Sequence, residues 1–318
     1  MKYKCEKCGK VLTQHRDELI CKSCNFTNAI IEKGVVVYSG CEQKTDFFDK
    51  QSVEKLTKHY DSYNKEQFEV DLGKTNLLSM DKLNKKVGIT QKLWWENYIG
   101  KVENSNILEV GCGVNYLVPY WLHSNNNVAA FDVSQEAVFL LKNILTKMQF
   151  PEDRMDLFVC DAERLNIDMK FDVISINNVL HHIEDKNEVL TRLISMLNDN
   201  GKILIVEPNY YYPFRWIVET DIFGKLNIVK TFFEKNYLIE EDEKAIKFKH
   251  LKQEIVASGL NIDVNFGDPN YLGYATIYFL DNYPRLSKLI YILDKYLLSK
   301  VIPKFFAPFE YMIISKKL

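Results

Sequence analysis

Asn106-Ile-Leu-Glu109-Val-Gly111-Cys-Gly113-Val-Asn115 decides how this chain is read. An apolar strand ends in a carboxylate and then turns through two glycines toward a helix. Glycine lets the backbone turn sharply and lets a ligand approach the main chain. A dinucleotide fingerprint, G-x-G-x-x-G, would place its third glycine at 116, where the chain has Tyr116. A pyrophosphate at this turn would also face the anionic Glu109. A ligand with a cationic amino-acid end and no phosphate suits that carboxylate better.

The rest of a nucleoside site follows in order. Asn127-Val-Ala-Ala-Phe-Asp132 ends in a carboxylate 19 residues after Gly113, where doubly wound folds hold ribose hydroxyls. Asp156-Leu-Phe-Val-Cys-Asp161 ends in Asp161-Ala162, suited to an adenine amino group. Phe171-Asp-Val-Ile-Ser-Ile-Asn177 runs into Asn178-Val-Leu-His181-His182-Ile. With these motifs in this order, residues 88–318 resemble the class I S-adenosylmethionine-dependent methyltransferases, in the branch with a "VLHHI" segment after the fourth strand. Asn115 stands where that family often has a third glycine, and asparagine tolerates positive φ better than most residues. The resemblance implies S-adenosyl-L-methionine as cofactor, held by Glu109, Gly111, Gly113, Asp132, Val133, Asp161, Ala162 and Asn177. It also implies a seven-stranded sheet whose last strand is antiparallel.

The segments between these strands support the same fold. Helices are expected over Thr90–Gly100, Ser134–Met148, Glu184–Leu197 and Ala245–Ser258, with further strands at Lys202–Glu207, Leu260–Phe266 and Phe309–Ser315. Strands alternating with helices give a parallel sheet with right-handed crossovers. The expected class is therefore α/β, a doubly wound, mostly parallel Rossmann-like sheet with an insertion near 268–306. Inside that insertion, Leu286, Leu289, Ile290, Leu293, Tyr296 and Leu297 mark an amphipathic helix. Packing over the cleft or against a second subunit is expected of it, with a membrane surface as the alternative.

Ahead of this domain stand Cys5-x2-Cys8 and Cys21-x2-Cys24. In a reducing compartment such pairs read as metal ligands, and four thiolates close a tetrahedral structural zinc site. Gly9 and Asn25 suit the tight turns after each pair, and Ile30–Tyr38 reads as a hairpin around Lys33-Gly34. Residues 1–40 resemble a zinc ribbon, so small that the metal must help it fold. Residues 41–87 are polar and helix-prone, with a helix expected at Asp49–Tyr60, and read as a linker or lid. Cys112 and Cys160 read as small packing residues.

Composition is that of a soluble protein, with 47% hydrophobic and 26% charged residues. No run reaches the roughly 18 apolar residues of a membrane span, and the N-terminus lacks an apolar signal region. A cytoplasmic location is expected. Residues 1–101 carry 18 basic and 14 acidic side chains, against 23 and 29 in the remainder. That asymmetry falls short of a dedicated nucleic-acid binder's basic stripe.

In open α/β sheets ligands lie beyond the carboxyl ends of the strands. His181 and His182 after the fourth strand are candidate general bases, against the alternative that they only bond the backbone. Glu207 and Asn209 end the fifth strand at the same edge, followed by the aromatic run Tyr210–Trp216 with Arg215. The expected function is methyl transfer to a small-molecule, glycan-precursor or lipid-precursor acceptor. The alternative is an rRNA or tRNA methyltransferase whose ribbon grips the nucleic acid. Against it, the segment after the fourth strand lacks an Asn/Asp-Pro-Pro-aromatic signature.

Overall fold

In the computed structural model the described residues are 3–5, 7–38, 95–113, 117–212, 246–268, 271 and 284–317. The expected helix at Asp49–Tyr60, the linker 41–87, the loop residues Asn115 and Tyr116, and Arg215 with Trp216 lie outside them.

Among the described residues eleven strands form one sheet. β1 (Thr13–His15), β2 (Glu18–Cys21), β3 (Phe26–Glu32) and β4 (Val35–Tyr38) come from the N-terminal ribbon. β5 (Asn106–Val110), β6 (Asn127–Asp132), β7 (Met155–Val159), β8 (Phe171–Asn177) and β9 (Leu197–Pro208) form the parallel body, completed by β10 (Ile262–Phe266) and β11 (Phe309–Lys316). The spatial order is β1-β2-β3-β4-β7-β6-β5-β8-β9-β11-β10. β11 runs antiparallel to both β9 and β10. The seven strands from β7 to β10 are thus the expected doubly wound, mostly parallel sheet. Its order reverses direction between β5 and β8, where such sheets open a ligand crevice.

Helices cover both faces. α1 (Leu117–His123), α2 (Gln135–Lys147), α3 (Lys186–Ser195) and α4 (Phe248–Ala257) follow their strands, and α5 (Pro284–Leu293) continues as a π-helical turn over Asp294–Leu298. Ser134 caps α2 by accepting the Ala137 amide at 3.2 Å, and Asp185 caps α3 by accepting the Glu188 amide at 2.9 Å. Of the helix expected over Thr90–Gly100, residues 95–99 are helical with Trp95 buried, and residues 90–94 lie outside the described residues. One face of the sheet packs Ile174, Ile203 and Ile205 against Leu190, Leu193 and Leu251. The other packs Ile107, Val128 and Val173 with Trp121 and Leu141. Side-chain alternation along buried strands supplies both layers.

The ribbon is not a separate bead. β4 pairs in parallel with β7, Val36 opposite Phe158 and Val37 opposite Val159, so the ribbon covers an edge that would otherwise offer free backbone groups. The expected hairpin is present, turning through Lys33 (φ 50) and Gly34 (φ 70), the two positive-φ positions of a tight turn between twisted strands. Lys142 of α2 donates to the carbonyls of Lys33 and Gly34, and Gln135 donates to Glu32. On the other side, Lys4 donates to the Asn166 carbonyl at 2.9 Å, and Asn166 Nδ2 returns a bond to the Cys5 carbonyl.

The insertion helix is present, and its apolar stripe is divided between buried and exposed members. Ile290 is buried, but Leu286, Leu289, Leu293, Tyr296 and Leu297 are exposed. Contact with the body runs through Ile290 of that stripe together with Asp294 and Lys295, and the other members of the stripe are exposed in the single chain.

Candidate active site and metal centre

Four strand ends meet at one edge. At the end of β5, Glu109 is fully buried; Trp121 Nε1 donates to its Oε2 at 3.1 Å, and the Ser175 hydroxyl bonds it as well. Burial outweighs both contacts and pushes its carboxyl up to about 8. Gly111 follows with φ +63, and a Cβ there would lie 2.3 Å from Val179 Cγ2, so the turn after β5 nests against the turn after β8. Gly113 also has positive φ.

At the end of β6, Asp132 Oδ2 accepts the Gly113 amide at 2.8 Å and Oδ1 accepts the Ser134 amide at 2.9 Å. Val133 beside it is 55% exposed. After β7, Asp161 Oδ1 accepts the Glu163 amide, and Ala162 opens a 3-10 turn. Asn177 ends β8, and Asn178 takes the left-handed conformation at φ 56. Three buried side-chain oxygens here, Glu109 Oε1, Asn177 Oδ1 and Asn178 Oδ1, have no hydrogen-bond partner among the described residues. Buried acceptors left this way cost free energy until a donor arrives. A ligand carrying an ammonium, ribose hydroxyls and an adenine amine brings donors, so the acceptor set fits S-adenosylmethionine and disfavours a phosphate.

Beyond these, Glu207 forms a hub that sequence reading placed at the edge but could not connect. It is fully buried; its Oε1 accepts the amides of Val179 at 3.0 Å and Leu180 at 2.6 Å, and its Oε2 meets His181 Nδ1 at 2.5 Å. His182 lies against His181 with ring centroids 3.9 Å apart. Thus β9 supplies the carboxylate that fixes the turn after β8. Asn209, also buried, accepts the Tyr211 amide and donates to the Ala307 carbonyl at 2.7 Å.

With this geometry in place, likeness to known proteins becomes informative. Residues 108–203, which span β5 to mid-β9, match the family described as a methyltransferase domain. Over those residues the chain is similar to methyltransferase domains. An "Uncharacterized methyltransferase" of Schizosaccharomyces pombe is 25% identical to this chain over 117 residues, 35% of this chain and 41% of that protein. "Malonyl-[acyl-carrier protein] O-methyltransferase 2" of Ilyobacter polytropus is 31% identical over 101 residues, 31% of this chain and 38% of that one. The chain therefore spans about two fifths of the length of these curated relatives. Among solved structures, the plantazolicin methyltransferase BamL, in complex with a desmethyl analog and SAH, aligns at a TM-score of 0.48 and 15% identity, covering 83% of this chain and 98% of that one.

Cys5, Cys8, Cys21 and Cys24 converge, their sulfurs all within 4.8 Å of one another. Cys5–Cys24 is 3.5 Å, Cys8–Cys21 3.4 Å and Cys8–Cys24 3.9 Å. Tetrahedral zinc with bonds of about 2.3 Å needs sulfurs about 3.8 Å apart, so the set fits one ion with no open position. Each pair sits in the expected turn, the Gly9 amide bonding the Cys5 carbonyl and the Asn25 amide the Cys21 carbonyl, each at 2.8 Å with positive φ. Cys112 and Cys160 are buried away from this set, and burial holds the Cys112 thiol protonated, in keeping with a packing role.

Proposed function

We propose that this chain is an S-adenosylmethionine-dependent methyltransferase acting on a small-molecule, glycan-precursor or lipid-precursor acceptor. The observation that supports it best is the set of buried side-chain oxygens of Glu109, Asn177 and Asn178 at the crevice between β5 and β8 that have no hydrogen-bond partner among the described residues. Bound S-adenosylmethionine supplies an electrophilic methyl group on a sulfonium. Glu109 is assigned to the cationic amino-acid end, next to the turn of Gly111 and Gly113. Asp132, whose carboxylate accepts the Gly113 and Ser134 amides at the end of β6, is assigned to the ribose hydroxyls. Val133, Asp161, Ala162 and Asn177 are assigned to the adenosine.

His181 is assigned the acceptor's proton. Glu207 favours the tautomer with hydrogen on Nδ1, which leaves Nε2 to accept. In this role Glu207 orients and does not itself react, and His182 holds the ring by packing. Residues 1–40 are assigned as a structural zinc ribbon. The second reading, an RNA acceptor, draws on the excess of four cations in residues 1–101. Labelled cofactor added to a cell extract separates the two: label in ribonuclease-resistant small molecules or lipid extract is expected, and ribonuclease-sensitive label would overturn the acceptor class.

A further inference from the structure

The segment from α5 to Phe306 presents an apolar face with a basic margin. Leu286, Leu289, Leu293 and Leu297 recur at helical spacing and are exposed, with Ile292 and Tyr296 beside them. Phe305 and Phe306, with ring centroids 4.3 Å apart, are exposed at the end of the same segment. The protein body grips the segment elsewhere. Asp294, fully buried, accepts the Tyr271 amide at 3.3 Å, Tyr271 donates its hydroxyl to the Ile302 carbonyl at 2.6 Å, and Asn209 holds the Ala307 carbonyl. Asn209 belongs to the strand edge of Glu207 and His181, so this face is mounted beside the candidate site. Exposed Tyr210 and Tyr211, ring centroids 5.0 Å apart, follow Asn209 directly.

Charge selects the occupant. Residues 284–306 carry five cations, Arg285, Lys288, Lys295, Lys300 and Lys304, and one acid, the buried Asp294. Arg285, Lys288, Lys300 and Lys304 are exposed. A two-fold contact would set this face against its own copy and bring like charges together, which disfavours a dimer here. An anionic lipid surface satisfies both features: leucine and phenylalanine enter the headgroup boundary while the long basic side chains reach the phosphates. The helix is too short and too charged to span, and no described helix is long and apolar enough to cross a membrane.

We propose that the face of Leu286, Leu289, Leu293, Leu297, Phe305 and Phe306, with its basic margin, docks on an anionic lipid surface. Docking there brings the carboxyl edge of β8 and β9 to the bilayer. The inference goes beyond the methyltransferase reading and does not depend on it. Its test is co-sedimentation of the full chain with phosphatidylcholine vesicles, with and without phosphatidylserine. Binding is expected to the anionic vesicles, falling with salt. Phe305→Ser/Phe306→Ser and Lys288→Glu/Lys300→Glu should each weaken it about tenfold or more, since a buried phenylalanine or a paired charge is worth roughly that factor. These residues are exposed, so melting temperature and cofactor affinity should stay unchanged and act as the folding control. No binding to anionic vesicles, equal binding by the variants, or a dimer that Phe305→Ser/Phe306→Ser dissociates would each overturn the proposal. Loss of docking with cofactor binding intact leaves the methyltransferase reading standing.

Discussion

The Asp132 carboxylate accepts the Gly113 amide at 2.8 Å, tying the end of β6 to the glycine turn that follows β5. The same side chain accepts the Ser134 amide that begins α2, so one residue sets both walls of the expected ribose site. Asp132→Ala should therefore weaken S-adenosylmethionine by at least about tenfold, because bonds to a charged acceptor are worth about 1.5–3 kcal/mol. Asp132→Asn keeps one accepting oxygen and should fall between. Titration calorimetry reads the affinities, and unchanged affinity in Asp132→Ala would remove this residue from the site.

Glu109 is expected to link cofactor binding to pH. Burial raises its carboxyl from the ordinary 4.5 to about 8, so in the absence of ligand the folded chain holds a proton that the unfolded chain has released. This contribution to stability is fully present below about 4.5 and is lost as pH rises through about 8. Glu109→Gln should flatten the decline of melting temperature across that window. A cationic ligand end pulls the proton off, so cofactor affinity should rise toward pH 8, with proton release visible as a buffer-dependent binding enthalpy. Affinity that is flat from pH 6 to 8 would separate Glu109 from the cofactor.

Gly111 is constrained twice, by φ +63 and by a Cβ position 2.3 Å from Val179 Cγ2. Gly111→Ala should cost about 2–4 kcal/mol in urea unfolding, combining backbone strain with overpacking. Adding Val179→Ala removes the clash and leaves the strain, so recovery should be partial. Full recovery would mean that φ at this turn carries no cost.

The ribbon's place in the sheet makes its metal a matter for the whole chain. One zinc per chain is expected, and Cys21→Ser or chelation should lower the main melting transition and promote aggregation by uncovering the β7 edge. A main transition indifferent to chelation would contradict that coupling.

Much of this was legible in the chain because it is local. Strand ends at Glu109, Asp132, Asp161 and Asn177, the Ser134 cap and the Lys33-Gly34 turn are written in residues a few positions apart. The Glu207–His181 contact spans 26 residues, and the parallel pairing of β4 with β7 joins segments about 120 apart; neither leaves a local pattern. The period of Leu286–Leu297 identified a helix with an apolar side. It could not tell whether that side meets protein or solvent, since periodicity records which residues share a face and not what lies against it.

Cofactor binding by the purified full chain tests the central claim most directly. Calorimetric titration with S-adenosylmethionine, S-adenosylhomocysteine and NAD should show saturable one-site binding of the first two, lost or strongly weakened in Asp132→Ala and Glu109→Gln. Preference for NAD, or no binding of either sulfur nucleoside by a chain that melts cooperatively, would contradict it.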